Sequence, residues 1–153
     1  QVDREAVEAL RGRRSRLLAF RGEEVDRKRI ETLLAKLDYL YDELVMLGRV
    51  KRERIVLHGT KSLVGLVAVN KDLSNGMFSL FCCLDLFSRP VVLSGFSFSV
   101  GGHAYNASNL PRHHVGQDKL ALQIIRARGW PVYSANPEFS AESGLPTWTG
   151  DAV

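Results

Sequence analysis

The side-chain pattern changes character near Arg54, and that change limits the folds open to the chain. Up to that point apolar residues recur on a helical period. Ile30, Leu33, Leu37, Leu40, Leu44 and Leu47 are spaced 3-4-3-4-3, the seam of an amphipathic or coiled-coil-like helix. Asp26 stands where an N-cap belongs and Gly48 where a C′ glycine does. An earlier stretch over about 3–20 carries Val7, Leu10, Leu17 and Leu18, and the Arg21-Gly22 break predicts that the two helices fold as a hairpin.

Beyond Arg54 the chain turns to short runs rich in Val, Leu and Phe. Residues 54–58, 63–69, 77–86, 91–93 and 96–100 read as strands. Asn75-Gly76 supplies a hairpin turn, and Phe96, Phe98 and Val100 alternate with Ser97 and Ser99, the pattern of a half-buried strand. After a loop over 101–116, residues 117–128 read as a helix stopped by Gly129, followed by a strand at 130–134. Pro137, Ser140, Ser143, Gly144, Pro146 and Gly150 predict an irregular tail, with Trp148 packing back on the domain.

The expected class is α+β: an N-terminal helical hairpin packed on a mostly antiparallel sheet, then a helix and a closing strand that joins in parallel. Its predicted divisions are a hairpin over 1–50, a core over 51–139 and a tail over 140–153. The order of elements is also that of the restriction-endonuclease-like core. A chain of 153 residues, 45% hydrophobic and 25% charged, suits an ordinary folded domain and excludes disorder. Its apolar runs fall far short of the roughly 20 residues of a membrane helix, so no membrane association is expected. Cys82 and Cys83, being adjacent, cannot build a disulfide framework. No secretory signal is visible, and an intracellular compartment is expected.

Several segments together resemble the RAP domain, a small RNA-associated domain of organellar RNA-processing proteins. They are Cys83-Leu84-Asp85-Leu86-Phe87, Phe98-Ser99-Val100-Gly101-Gly102-His103-Ala104-Tyr105, Val115-Gly116-Gln117-Asp118-Lys119-Leu120, Arg128-Gly129-Trp130-Pro131-Val132 and Pro137-Glu138-Phe139. By that resemblance Asp85, on a strand, His103, Tyr105, Gly129, Trp130, Glu138 and Phe139 fall on matching positions, and a mitochondrial setting is implied. The spacing from Asp85 to Gly102 is a few residues longer than in the family. Where the family's nuclease relatives carry acids on the strand before the turn, this chain has Ser99 and Gly101. Metal-dependent cleavage needs two or three carboxylates around the ion, and here only Asp85 could serve. Binding without cleavage, and no metal or cofactor, is the expectation that follows.

The net charge is +4, and 14 of the 21 basic residues lie in the first 54. Arg11, Arg13, Arg14 and Arg16 could contact phosphates, or form a solvated face balanced by Glu5 and Glu8. A second group comprises Arg112, His113, His114, Lys119, Arg126 and Arg128, with Tyr105 and Trp130 nearby. Positive charge beside aromatic rings is what single-stranded RNA recognition uses. Tyr105, Arg112, His113, Lys119, Arg126 and Arg128 are therefore the expected nucleic-acid contacts, with Trp130 read as core. His58-Gly59-Thr60 resembles the opening motif of ADP-ribosyltransferases, which would cast His58, Tyr105 and Glu138 as a site for NAD. Cys82 or Cys83 with a histidine would be a thiol and its base, but small buried hydrophobes fit the run 78–86 better.

The sequence thus predicts a non-catalytic RNA-binding module, taking single-stranded RNA in preference to duplex. An NAD-dependent transferase is the enzyme alternative. A dimerisation or partner-docking role for the Ile30 to Leu47 seam is the third.

Overall fold

The computed structural model describes residues 8–62, 64–65, 73–87, 89–99 and 114–150. The chain divides into two compact units, Gln1–Arg52 and Glu53–Val153. The class is α+β, with two short parallel ladders among the described residues. None of the described helices is long and apolar enough to cross a membrane.

The first unit is a β-α-β arrangement. Strand β1 (Arg14–Phe20) leads through a 3-10 turn (Glu24–Asp26) into helix α1 (Arg27–Lys36) and back to strand β2 (Leu40–Met46). The strands pair in parallel, with Arg14 opposite Leu40 and Phe20 opposite Met46. Ile30 and Leu34, one helical turn apart, meet Leu44 and Met46 in the core, and Leu18, Tyr39 and Tyr41 pack against them. The Arg27 guanidinium reaches the Leu44 carbonyl at 3.1 Å and so ties helix to strand.

This overturns the expected helical hairpin. Helix α1 ends in a Schellman motif: Asp38 N–H bonds the Ala35 carbonyl and Tyr39 N–H the Leu34 carbonyl. The left-handed residue that reverses the chain is Asp38, at φ 51°, a position usually held by glycine, which is why the repeat reads as running on. Past it, Tyr39 to Met46 bury one face of a strand, and a repeat of four serves a strand as well as a helix. The seam is dispersed as a result: Ile30 and Leu33 lie on α1, Leu37 caps it, and Leu40 stands 61% exposed on β2 beside buried Leu44, with buried Leu47 beyond. Arg14 to Phe20 form a strand because pairing with β2 outweighs the helix propensity of Arg and Leu.

The second unit contains most of helix α2 (Arg49–Thr60), then helix α3 (Asn75–Leu86), strand β3 (Val91–Leu93), helix α4 (Val115–Ala127), strand β4 (Val132–Ser134) and helix α5 (Pro137–Ser143). Ser74 caps α3, its hydroxyl accepting from Met77 N–H at 3.1 Å, and the buried carboxylate of Asp118 on α4 accepts from Ser74 N–H at 3.0 Å. The core gathers Val56, Met77, Leu80, Phe81, Leu122, Ile125, Val132 and Phe139. Strands β3 and β4 pair in parallel, as expected of the closing strand, but no antiparallel ladder occurs among the described residues.

Four expected strands fare differently here. Residues 54–58 lie within α2 and 77–86 within α3, with Asn75-Gly76 as its first turn rather than a hairpin. Their apolar residues recur at 77, 80, 81 and 84, a helical stripe that an unbroken apolar run conceals. Residues 96–99 form no strand: Phe96 and Phe98 pack on Phe139 of α5, and Phe98 N–H bonds the Glu142 carboxylate at 2.8 Å. Most of 63–69 lies outside the described residues. The expected irregular tail begins inside helix α5, which Asn136 caps at one end and Gly144, at φ 68°, at the other. Trp148 packs back as expected, against Tyr133.

Candidate functional site

The C-terminal end of α2 brings together residues that are distant in the chain. Gly59 permits this, because a Cβ there would fall on the ring of fully buried Phe81, so only glycine lets α2 approach α3 so closely. Thr60 is wholly buried, its hydroxyl 3.1 Å from the Ser62 carbonyl. Lys61 then takes the left-handed conformation at φ 50°, and its N–H bonds the Leu57 carbonyl at 2.7 Å.

The junction between α4 and β4 meets this helix end. Helix α4 also ends in a Schellman motif, with Gly129 at φ 68° and Trp130 N–H on the Ile125 carbonyl. That turn aims two side chains at the carbonyls α2 leaves unpaired. The Trp130 indole N–H donates to the Gly59 carbonyl at 2.8 Å, and Arg128 Nε to the Thr60 carbonyl at 3.0 Å.

Around the indole lie the groups with chemistry. Lys61 Nζ sits 4.5 Å from the ring centroid, and the His58 imidazole meets the ring edge-on at 5.4 Å. His58 Nδ1 is 3.1 Å from Asp85 Oδ1, in the last turn of α3, with side chains 47% and 36% exposed. Two cations, an imidazole oriented by a carboxylate and an aromatic ring thus share one solvent-facing cluster. Such a cluster can hold a phosphate, and its imidazole can exchange a proton with whatever is bound.

The expected contacts divide among different places. Arg128 belongs to this cluster. Lys119 and Arg126 lie two turns apart on α4 and contact other segments: Lys119 Nζ is 5.3 Å from the Phe98 ring centroid, and Arg126 reaches the Ser143 carbonyl at 3.4 Å and covers Gly144. Tyr105, Arg112, His113 and His103 lie outside the described residues. Glu138 is an exposed residue in the first turn of α5, its N–H held by Asn136 Oδ1 at 2.7 Å.

Two further expectations are corrected by the geometry, and the reading of the cysteines as unreactive is kept. Asp85 stands on a helix rather than a strand, because the run before it is helical. His58-Gly59-Thr60 closes a helix rather than a strand, and close packing accounts for its glycine. Cys82 and Cys83 are half-buried on α3, and burial pushes the Cys83 thiol up, away from the reactive thiolate. No group of three or more metal-ligating side chains occurs among the described residues.

Sequence reasoning passed over Lys61. The available signal was a lysine directly after a small-residue pair at the end of a helix, which is visible only once 54–60 is read as helical.

Comparison with protein-family models, with curated proteins and with solved structures returned no match in any of the three.

Proposed function

We propose that the chain is an RNA-binding module of an organellar RNA-processing or ribonucleoprotein factor, and that the end of α2 is its phosphate-contacting site. The observation that carries this reading is the gathering of Lys61, Arg128 and His58 around Trp130. Cations beside partly exposed rings suit a single strand, whose phosphates and unstacked bases are both within reach of side chains. The RAP resemblance points the same way, since Asp85, Gly129 and Trp130 all fall within the cluster.

The test is fluorescence anisotropy of the full chain with mixed-sequence single-stranded and duplex RNA at two salt concentrations. Micromolar or tighter binding that weakens with salt is expected, and each phosphate contact removed lowers the slope by about 0.7 for a single strand. Replacing both Lys61 and Arg128 with Ala lowers it by about 1.4. An unchanged affinity and slope in that variant would remove the α2 site from the reading. No RNA binding, with a melting temperature raised by NAD, would favour the transferase reading of His58 instead.

A further inference from the structure

We propose that His58 and Asp85 make this RNA-binding site a metal-independent RNA-cleaving centre, in which an internal phosphodiester is attacked by its own 2′-hydroxyl. The inference rests on the RNA-binding reading and adds a reaction to it. Its basis is the direction in which the imidazole is held. With Nδ1 against Asp85 Oδ1 at 3.1 Å, the neutral ring donates its proton there and keeps the lone pair on Nε2. A carboxylate that orients a histidine in this way makes it a general base at the other nitrogen.

The surroundings match what the reaction needs. Trp130 meets the imidazole edge-on, and its own indole N–H is anchored to the Gly59 carbonyl, which limits movement of the ring. Lys61, in the left-handed conformation, and Arg128 supply the positive charge that a pentavalent phosphorane requires. Non-glycine residues in that conformation carry strain and cluster at functional sites. Among the described residues, Asp85 from α3, Lys61 from the end of α2 and Arg128 from the end of α4 bring charge to the cluster.

The step balances without a co-reactant. His58 Nε2 takes the proton of the 2′-hydroxyl, and the 2′-oxygen forms a bond to phosphorus. The bond from phosphorus to the 5′-oxygen then breaks, and the departing oxygen keeps the electron pair. The imidazolium returns the proton to that oxygen, leaving a 2′,3′-cyclic phosphate on one fragment and a 5′-hydroxyl on the other. His58 is the catalytic residue. Asp85 is a positioning residue.

The experiment incubates the full chain with end-labelled single-stranded RNA in EDTA, and measures anisotropy on the same strand with 2′-O-methyl groups, which can bind but cannot react. Fragments ending in 2′,3′-cyclic phosphate are expected, reduced by a factor of about 100 or more in His58→Gln. Asp85→Asn should lower kcat with KM and the melting temperature both unchanged, a combination that a general loss of folding would not produce. Binding of the 2′-O-methyl strand without cleavage of the natural one would overturn this inference and leave the RNA-binding reading standing. So would cleavage that persists in His58→Gln. Failure to bind either strand would overturn both.

Discussion

The indole N–H of Trp130 lies 2.8 Å from the carbonyl of Gly59, a bond between residues 71 positions apart that closes the end of α2. Three carbonyls of that helix end, from Leu57, Gly59 and Thr60, find partners in Lys61 N–H, Trp130 and Arg128. Trp130→Phe keeps an aromatic ring but leaves the Gly59 carbonyl without its donor. The expected loss of stability is about 1–3 kcal/mol. Urea denaturation followed by circular dichroism measures it.

Gly59 is the residue that lets the helices meet. Gly59→Ala places a methyl group on the Phe81 ring, which is fully buried and has nowhere to go. Overpacking of this kind costs about 1–3 kcal/mol. Calorimetry is expected to show a lower melting temperature, whereas an unchanged one would mean that α2 and α3 are not so closely packed.

Lys61 shows stability and function pulling in opposite directions. Its left-handed backbone, φ 50°, is one that glycine adopts without a Cβ penalty. Lys61→Gly is therefore expected to leave stability unchanged or raise it by up to about 1 kcal/mol. The same variant loses the ammonium beside Trp130, so RNA affinity and its salt slope should fall. Parallel denaturation and anisotropy measurements separate the two effects.

Acid sensitivity follows from Glu142. Its carboxylate, hydrogen-bonded first by the Ser99 hydroxyl and also by Phe98 N–H, is held below the usual carboxylate range. A depressed folded-state value means stability that is present above the ordinary carboxylate range and lost as pH falls through the lowered one. Glu8 beside Arg11 and Glu24 beside Arg27 are lowered in the same direction. The melting temperature of the parent chain should therefore fall more steeply below about pH 4.5 than that of Glu142→Gln. Equal slopes in the two proteins would count against the Glu142 link to 96–99.

Local signals carried part of the fold. Gly129 marks the end of α4 because only a residue free of a Cβ takes φ 68° without strain, and the Val-rich stretches at β3 and β4 were legible as strands. Phe96 and Phe98 are half-buried, but they pack on Phe139 of α5 rather than on a sheet. His58 and Asp85 each attracted notice as separate resemblances to two different families. Their union in one pair was not legible, because they stand on different helices 27 positions apart.

The sequence alone determined the α+β class, the positions of α4, β3 and β4, and the want of any long apolar helix among the described residues, since these depend on propensity and spacing within a few turns of chain. Tertiary structure decided the rest. The run 77–86 is apolar enough for either a buried strand or a buried helix, and burial of Met77, Phe78, Leu80, Phe81 and Leu84 along one helix is what the core selects. Leu40 and Leu44 fit both a 3-4 repeat and a strand, and pairing with β1 makes them a strand. Burial of apolar area rewards whichever conformation finds partners, and those partners lie too far along the chain for local pattern to reveal.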